Sequence, residues 1–382
     1  MRGSWADAVI ACQRDRFAIP AEVHYLNCAY MAPLSHGVIA AMDEGARAKA
    51  SPWRYKPADF FTVCEHFRER AARLAGVAQD SVAIVPSASY GLAVAAANVP
   101  LARGQEVVTL AGQFPSNIYV WQELAARVGG RVRAVERPSQ DCWSAAVLDA
   151  IGPDTGIVAV PHCHWADGRV VDLVAVGARC RAVGAALVLD LTQSLGAMPI
   201  DFAAVDPDFA VAACYKWLMG PYGTGMLYVA PRHHEGRPIE HNWINRAGSE
   251  DFARLVDYRA DFQPGARRFD MGEKANPPLL MGASAGLDFL LEFGVEAIAA
   301  TLAAQTEALA ARAARLGMEA APIGVRAPHF LSLGFGAGVP EGLTERLAAR
   351  GVHVSLRGPS LRVTPHLYND AADADALIAA LG

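Results

Sequence analysis

Seven short apolar runs, several of them rich in β-branched residues, recur through the first two thirds of the chain, and a helix-length segment separates most of them. The runs are Ser81–Val85, Glu106–Leu110, Arg131–Val135, Gly156–Val160, Ala186–Asp190, Phe209–Ala213 and Gly225–Val229. Helical patterns fill Asn117–Val128, Trp143–Ile151 and Val171–Val183 between them. This alternation predicts a mainly parallel sheet covered by helices. Runs as continuous as Ala-Leu-Val-Leu before Asp190 fit strands buried on both faces. The last two runs have no helical spacer and are joined by a Gly-rich loop.

The pattern changes after about Asp261. The stretch from Phe262 to Pro278 is rich in Gly, Pro and charge and reads as an irregular crossing. Long Ala/Leu helices are expected over Leu279–Phe293 and Val295–Leu316. Beyond them, short strands in His329–Phe335, Val352–Leu356 and Leu361–Pro365 alternate with helices at Gly342–Arg350 and Asp373–Leu381. The expected organisation is a large domain over residues 26–262, a crossing at 263–279, and a smaller α+β domain built from 280–382 with 1–25.

Hydrophobic residues make up 53% of the chain and charged ones 19%, enough apolar mass for a sizeable core and too much for a disordered chain. The net charge of −5, with no basic stripe, argues against a nucleic-acid partner. No apolar run approaches the ~18 residues a membrane span needs, and the N-terminus is too polar for a signal peptide. Seven scattered cysteines without a CxxC pair fit reduced thiols. A cytoplasmic location is therefore expected.

Open α/β sheets bind ligands at the carboxyl ends of their strands, so polar residues interrupting apolar runs there carry the chemistry. Asp190 closes one run. Lys216 follows the next, 26 residues later, between Tyr215 and Trp217. It is one of only four lysines in the chain. Taken alone, Asp190 could be a helix cap or a turn residue. A lysine in this setting is desolvated, which lowers its pKa and makes it a usable nucleophile. The pair suits an aldehyde cofactor with a pyridine ring, where a lysine forms the Schiff base and a carboxylate keeps the ring nitrogen protonated. Gln193 stands near enough in sequence to reach a ring hydroxyl. Pro86–Gly91 follows a strand and opens a helix with small residues, a setting for an anion at the helix's positive end or for an ordinary Ser cap. Phe114 could stack on a ring or simply fill the core. The His162-Cys163-His164 triplet has no third metal ligand in sight, so no metal site is expected.

Together these residues resemble the class V aminotransferases, pyridoxal-phosphate enzymes of fold type I, whose relatives include cysteine desulfurases, kynureninases and isopenicillin N epimerase-like proteins. The resemblance runs from Tyr25–Ser35 to Leu361–Asn369 and is most specific over Asp190–Val229. It implies pyridoxal 5'-phosphate as cofactor, held covalently by Lys216. It further implies that Asp190 meets the pyridine nitrogen, Gln193 the ring oxygen, Ser89 and the Ala88 amide the phosphate, and Phe114 the ring face. Tyr215 and Asn276 complete the implied cofactor site, with Asn276 reaching a partner subunit's site in a homodimer; where the family often supplies an Asn to the ring oxygen this chain departs, and His164 or Trp165 is expected to line the pocket instead. Arg362 takes the place that binds the substrate carboxylate, and Tyr30 and Trp243 are candidates for the substrate side.

The match is mixed. Tyr215 before the lysine, Phe114–Asn117 and Asn276-Pro277-Pro278 are similar to kynureninases, which nonetheless carry His at the place of Gln193. The Val354–Ser360 loop lacks the cysteine that desulfurases use as nucleophile, which argues against that reaction. The resemblance implies an amino-acid substrate. Transamination is the expected chemistry, and elimination or hydrolysis at Cβ or epimerisation are the alternatives. A catalytically silent sensor or scaffold would be marked by loss of Lys216 or Asp190.

Overall fold

The computed structural model of the chain describes residues 9–139 and 141–382; the first eight residues of the segment assigned above to the smaller domain lie outside this range. After a two-residue strand β1 (His24–Tyr25), seven strands build the main sheet. They are β2 (Val82–Val85), β3 (Glu106–Leu110), β4 (Arg131–Val135), β5 (Thr155–Pro161), β6 (Ala186–Asp190), β7 (Phe209–Ala213) and β8 (Gly225–Val229), in the order β2-β8-β7-β6-β5-β3-β4. Only β8 runs against its neighbours. Its short connection to β7 cannot make the crossover that a parallel pair requires. These are the seven runs expected from the sequence, with ends shifted by a residue where Ser81 is drawn into a 3₁₀ turn.

Alternate residues of each strand serve different cores, as a period of two demands. Ala83, Val85, Val107, Ile157, Val188, Val211 and Leu227 face helices Ala88–Ala96 and Ser116–Val128. Ile84, Val108, Val158, Leu189, Ala212 and Met226 face the opposite layer. That layer includes helices Asp59–Ala75 and Leu173–Val183. Helix Pro277–Phe293 joins it through Leu280, Ala283, Leu287 and Leu290, and also lies on helix His36–Ala48. Helices His36–Ala48 and Asp59–Ala75 were not among the helices expected from the sequence.

A second, four-stranded antiparallel sheet has the order β12-β13-β10-β9, from β9 (Met318–Glu319), β10 (Leu331–Phe335), β12 (Ser355–Arg357) and β13 (Ser360–Val363). The run Val352–Leu356, expected as one strand, is divided at Val354. Its first half, β11 (Val352–His353), pairs with β1, while its second half enters the antiparallel sheet. Leu26, Leu309, Leu331, Leu333, Leu361 and Leu377 form a separate core under this sheet.

Two close approaches locate the candidate site. A Cβ on Gly91 would stand 2.7 Å from Val211 Cγ2, so only glycine lets helix Ala88–Ala96 settle onto β7. A Cβ on Gly286 would stand 2.8 Å from the carbonyls of Leu218 and Met219, which brings helix Pro277–Phe293 directly against the turn that carries Lys216.

Candidate active site

A cavity of about 260 Å³ opens at the carboxyl ends of β2, β3, β5, β6 and β7. Each strand delivers the residue that follows its apolar run. Asp190 ends β6, and Lys216 lies in the turn after β7, the neighbouring parallel strand. Ser87, Ala88 and Ser89 follow β2, and Phe114 follows β3.

Lys216 is buried, with Nζ 5.6 Å from the Phe114 ring centre and 5.2 Å from that of Tyr215. Burial brings its amine down to about 8, more than Asp190 raises it, and the Arg362 and Arg357 guanidiniums add to the lowering. The amine is therefore substantially neutral, and nucleophilic, at mildly alkaline pH. Asp190 accepts a hydrogen bond from the Thr192 amide at 3.0 Å, and burial raises its pKa above the ordinary range. A buried carboxylate without an ion-paired cation is matched by a cationic ring nitrogen.

Ser87 caps helix Ala88–Ala96, accepting from the Tyr90 amide at 3.2 Å, and its hydroxyl lies 2.9 Å from that of Ser89. The first amides of the helix have no intrahelical acceptor, and with the two hydroxyls they form an anion-accepting cradle. The loop rests on a buried ionic cluster. Asp270 accepts from the Ile84 amide at 2.7 Å, from Arg68 Nη2 at 2.8 Å and from Lys274 Nζ at 2.6 Å. Arg68 donates in turn to the Val82 carbonyl. β2 is thus fixed just before it releases the chain into the cradle.

Gln193 lines the same cavity, its Nε2 donating to the Ala29 carbonyl at 3.1 Å and its Oε1 accepting from Trp217 Nε1 at 2.9 Å. Tyr215 is also on the wall, its phenol pushed up to about 12, by burial first and then by Tyr222, Asp190 and Tyr30. Tyr30 is 57% exposed beside it. Seven of the residues singled out from sequence, Lys216, Asp190, Gln193, Phe114, Ala88, Ser89 and Tyr215, therefore share one cavity.

The others fall elsewhere. Trp165 lines the cavity, edge-on to Phe114 at 5.6 Å, while His164 turns behind it and stacks on Trp143 at 5.3 Å. Arg362 donates from Nη1 to the Trp165 carbonyl at 2.8 Å, and its buried Nε and Nη2 have no partner. Asn276 and Trp243 line a different cavity of about 690 Å³, with Tyr55 and Phe60. There Asn276 caps helix Pro277–Phe293, accepting from the Leu279 amide at 3.2 Å.

The sequence reading gave no role to Thr192, Trp217 or Arg357, and included Ser87 only within the Pro86–Gly91 stretch. Trp217 carried a signal, as the aromatic neighbour of the lysine. Arg357 lay in a loop inspected only for a cysteine.

The class-V aminotransferase family model matches residues 25–367. The chain belongs to that family. Its enzymes work with pyridoxal phosphate. The chain is 28% identical over 319 residues to the kynureninase of Burkholderia mallei, covering 80% of this chain and 74% of the relative. It is likewise 28% identical to that of Deinococcus radiodurans, over 69% and 64% of the two chains. Among solved structures, C-DES with glycine covalently linked to its pyridoxal-phosphate cofactor superposes with a TM-score of 0.86 at 20% identity, covering 97% of this chain and 98% of that one. The cysteine desulfurase of Thermococcus onnurineus gives 0.83 at 19%, with the same coverage. At these identities the superpositions establish the fold. The cavity suits the family's cofactor in three respects: a buried amine, a buried carboxylate without a paired cation, and a helix-end cradle with free amides.

Proposed function

We propose that this chain is a pyridoxal-phosphate enzyme acting on an α-amino acid, with transamination as its reaction. One observation carries the reading: Lys216, its amine lowered to about 8, shares a cavity with Asp190 and the free end of helix Ala88–Ala96. The cofactor supplies an aldehyde to condense with amines and a ring that withdraws electrons from Cα.

The chain's own residues do the rest. Lys216 would hold the cofactor through Nζ, and its amine, when free and neutral, would take the α-proton as general base. Asp190 keeps a proton on the ring nitrogen. The Ala88 and Ser89 amides and the Ser87 and Ser89 hydroxyls bind the phosphate, and Phe114 covers the ring face. Gln193 offers its remaining N–H to the ring oxygen. Arg362, with two unpaired N–H groups, takes the substrate's α-carboxylate in a planar, two-point contact. Trp165 packs edge-on against Phe114 in the cavity wall.

Cleavage at Cβ is a second reading, favoured by the likeness to kynureninases. The test is incubation with L-amino acids and 2-oxoglutarate. Conversion of the bound cofactor to its amine form, with glutamate appearing, supports transamination. Release of alanine or pyruvate without glutamate supports cleavage at Cβ. A colourless protein with Lys216 unlabelled by borohydride refutes both.

We also infer a cytoplasmic homodimer in which Asn276 and Trp243 face the partner's site. The reading is supported by seven unpaired cysteines and by the aromatic cavity around Trp243, which is itself 44% exposed. Sedimentation velocity distinguishes dimer from monomer.

A further inference from the structure

Strands β12 and β13 form a hairpin in which Ser355 pairs with Arg362 and Arg357 pairs with Ser360. Paired residues project to the same side, and Arg357 lies two positions beyond Ser355. Arg357 and Arg362 therefore stand on one face of the hairpin as diagonal neighbours, with Cβ atoms roughly 7 Å apart. Both close on Trp165. Arg362 donates to its carbonyl at 2.8 Å, and the Arg357 guanidinium lies 5.6 Å from its ring centre. Trp165 is part of the wall of the Lys216 cavity.

Neither arginine has a carboxylate partner among the described residues. Arg357 donates from Nη1 to the Leu356 carbonyl at 2.7 Å, and its buried Nε has no acceptor. Arg362 keeps Nε and Nη2 unpaired at 1% exposure. A buried guanidinium without an anion, as at Arg362, is costly, Arg357 beside it is half-buried, and a planar pair of N–H donors is complementary to a carboxylate. One α-carboxylate satisfies Arg362 and leaves Arg357 open. The two cations raise each other's cost, and both also disfavour protonated Lys216.

We propose that the substrate is a dicarboxylic α-amino acid of aspartate or glutamate size, its α-carboxylate on Arg362 and its side-chain carboxylate on Arg357. This inference rests on the reading of the cavity as an amino-acid site, and it adds the substrate class. A substrate with a neutral side chain would leave Arg357 unmatched beside a second cation.

The test compares acids with their isosteric amides. The cofactor-loaded protein is titrated with L-aspartate, L-asparagine, L-glutamate and L-glutamine, following the cofactor absorbance. Binding of the non-reacting pair glutarate and its monoamide is measured by calorimetry. The acid is expected to bind roughly tenfold tighter than the amide, the scale of one charged hydrogen-bonded contact. Arg357→Gln is expected to abolish that preference, and Arg357→Lys to keep part of it. Equal affinities for acid and amide in the unaltered protein overturn the inference, as does an undiminished preference in Arg357→Gln. If the protein responds to neutral amino acids alone, only the substrate class fails. If Lys216 never becomes labelled through the cofactor and borohydride, the underlying reading fails with it.

Discussion

Trp217 Nε1 donates to Gln193 Oε1 at 2.9 Å. The residue beside the candidate Schiff-base lysine thereby fixes the orientation of an amide in the cavity wall. With Oε1 engaged and one Nε2 hydrogen given to Ala29, Gln193 has a single N–H left to direct into the cavity.

Replacing Trp217 with Phe should leave the Gln193 carbonyl buried without a donor, a cost of about 1–3 kcal/mol. The urea midpoint should fall accordingly. The amide also loses its fixed orientation, so the absorbance maximum of the bound cofactor should move. An unaltered spectrum would mean that Gln193 does not contact the ring.

The reactivity of Lys216 should follow the neutral form of its amine. Burial lowers the folded-state value to about 8, so the protonated, unreactive form dominates below that pH and disappears above it. Cofactor uptake by the cofactor-free protein should accelerate with rising pH and level off above about 8. An ordinary lysine, near 10.4, would still be accelerating at about pH 9–10. Stopped-flow absorbance across this range separates the two.

Asp190→Asn should bind the cofactor, because Lys216 and the phosphate cradle remain. It should nonetheless lose on the order of 10²-fold or more in turnover, the scale of removing one preorganised electrostatic contact. Comparing borohydride labelling of Lys216 with the steady-state rate distinguishes lost chemistry from lost binding. Equal losses in both would assign Asp190 to folding alone.

Asp270 is a stability prediction. Burial raises its carboxyl, but Arg68 and then Lys274 outweigh that and hold it below the ordinary range. A carboxylate depressed in the folded state contributes stability above its unfolded pKa, and that contribution fades as pH falls through the folded value. Asp270→Asn leaves two buried cations under-compensated, which should cost about 3–5 kcal/mol at neutral pH, with the difference from the parent shrinking on acidification. Urea titrations at about pH 7 and at a series of pH values below ~3.9, the ordinary value of an unfolded aspartate, check both the size and the sign.

Much of the fold was legible because its signals are local. The seven runs became the seven strands of the main sheet; six are buried on both faces and so are apolar at nearly every position, while Arg131–Val135, at the sheet edge, keeps two arginines and is largely exposed. The two N-terminal helices went unread, and Val352–Leu356 was read as one strand although it serves two sheets. The helices carried local signals that went unread, the Ser35 cap and Gly76 among them, but the strand division is not visible locally: pairing partners 320 or more residues apart decide which edge a short strand joins.

The sequence by itself determined which residues break their apolar runs, and hence that Asp190, Lys216, Ser89 and Phe114 gather where strands end. Chain order puts those ends on one side of a parallel sheet. Only the tertiary structure decided that Trp165 rather than His164 faces the cavity, that Trp217 orients Gln193, and that Arg357 stands beside Arg362. Side-chain direction depends on the packing of segments remote in sequence, which no local pattern encodes.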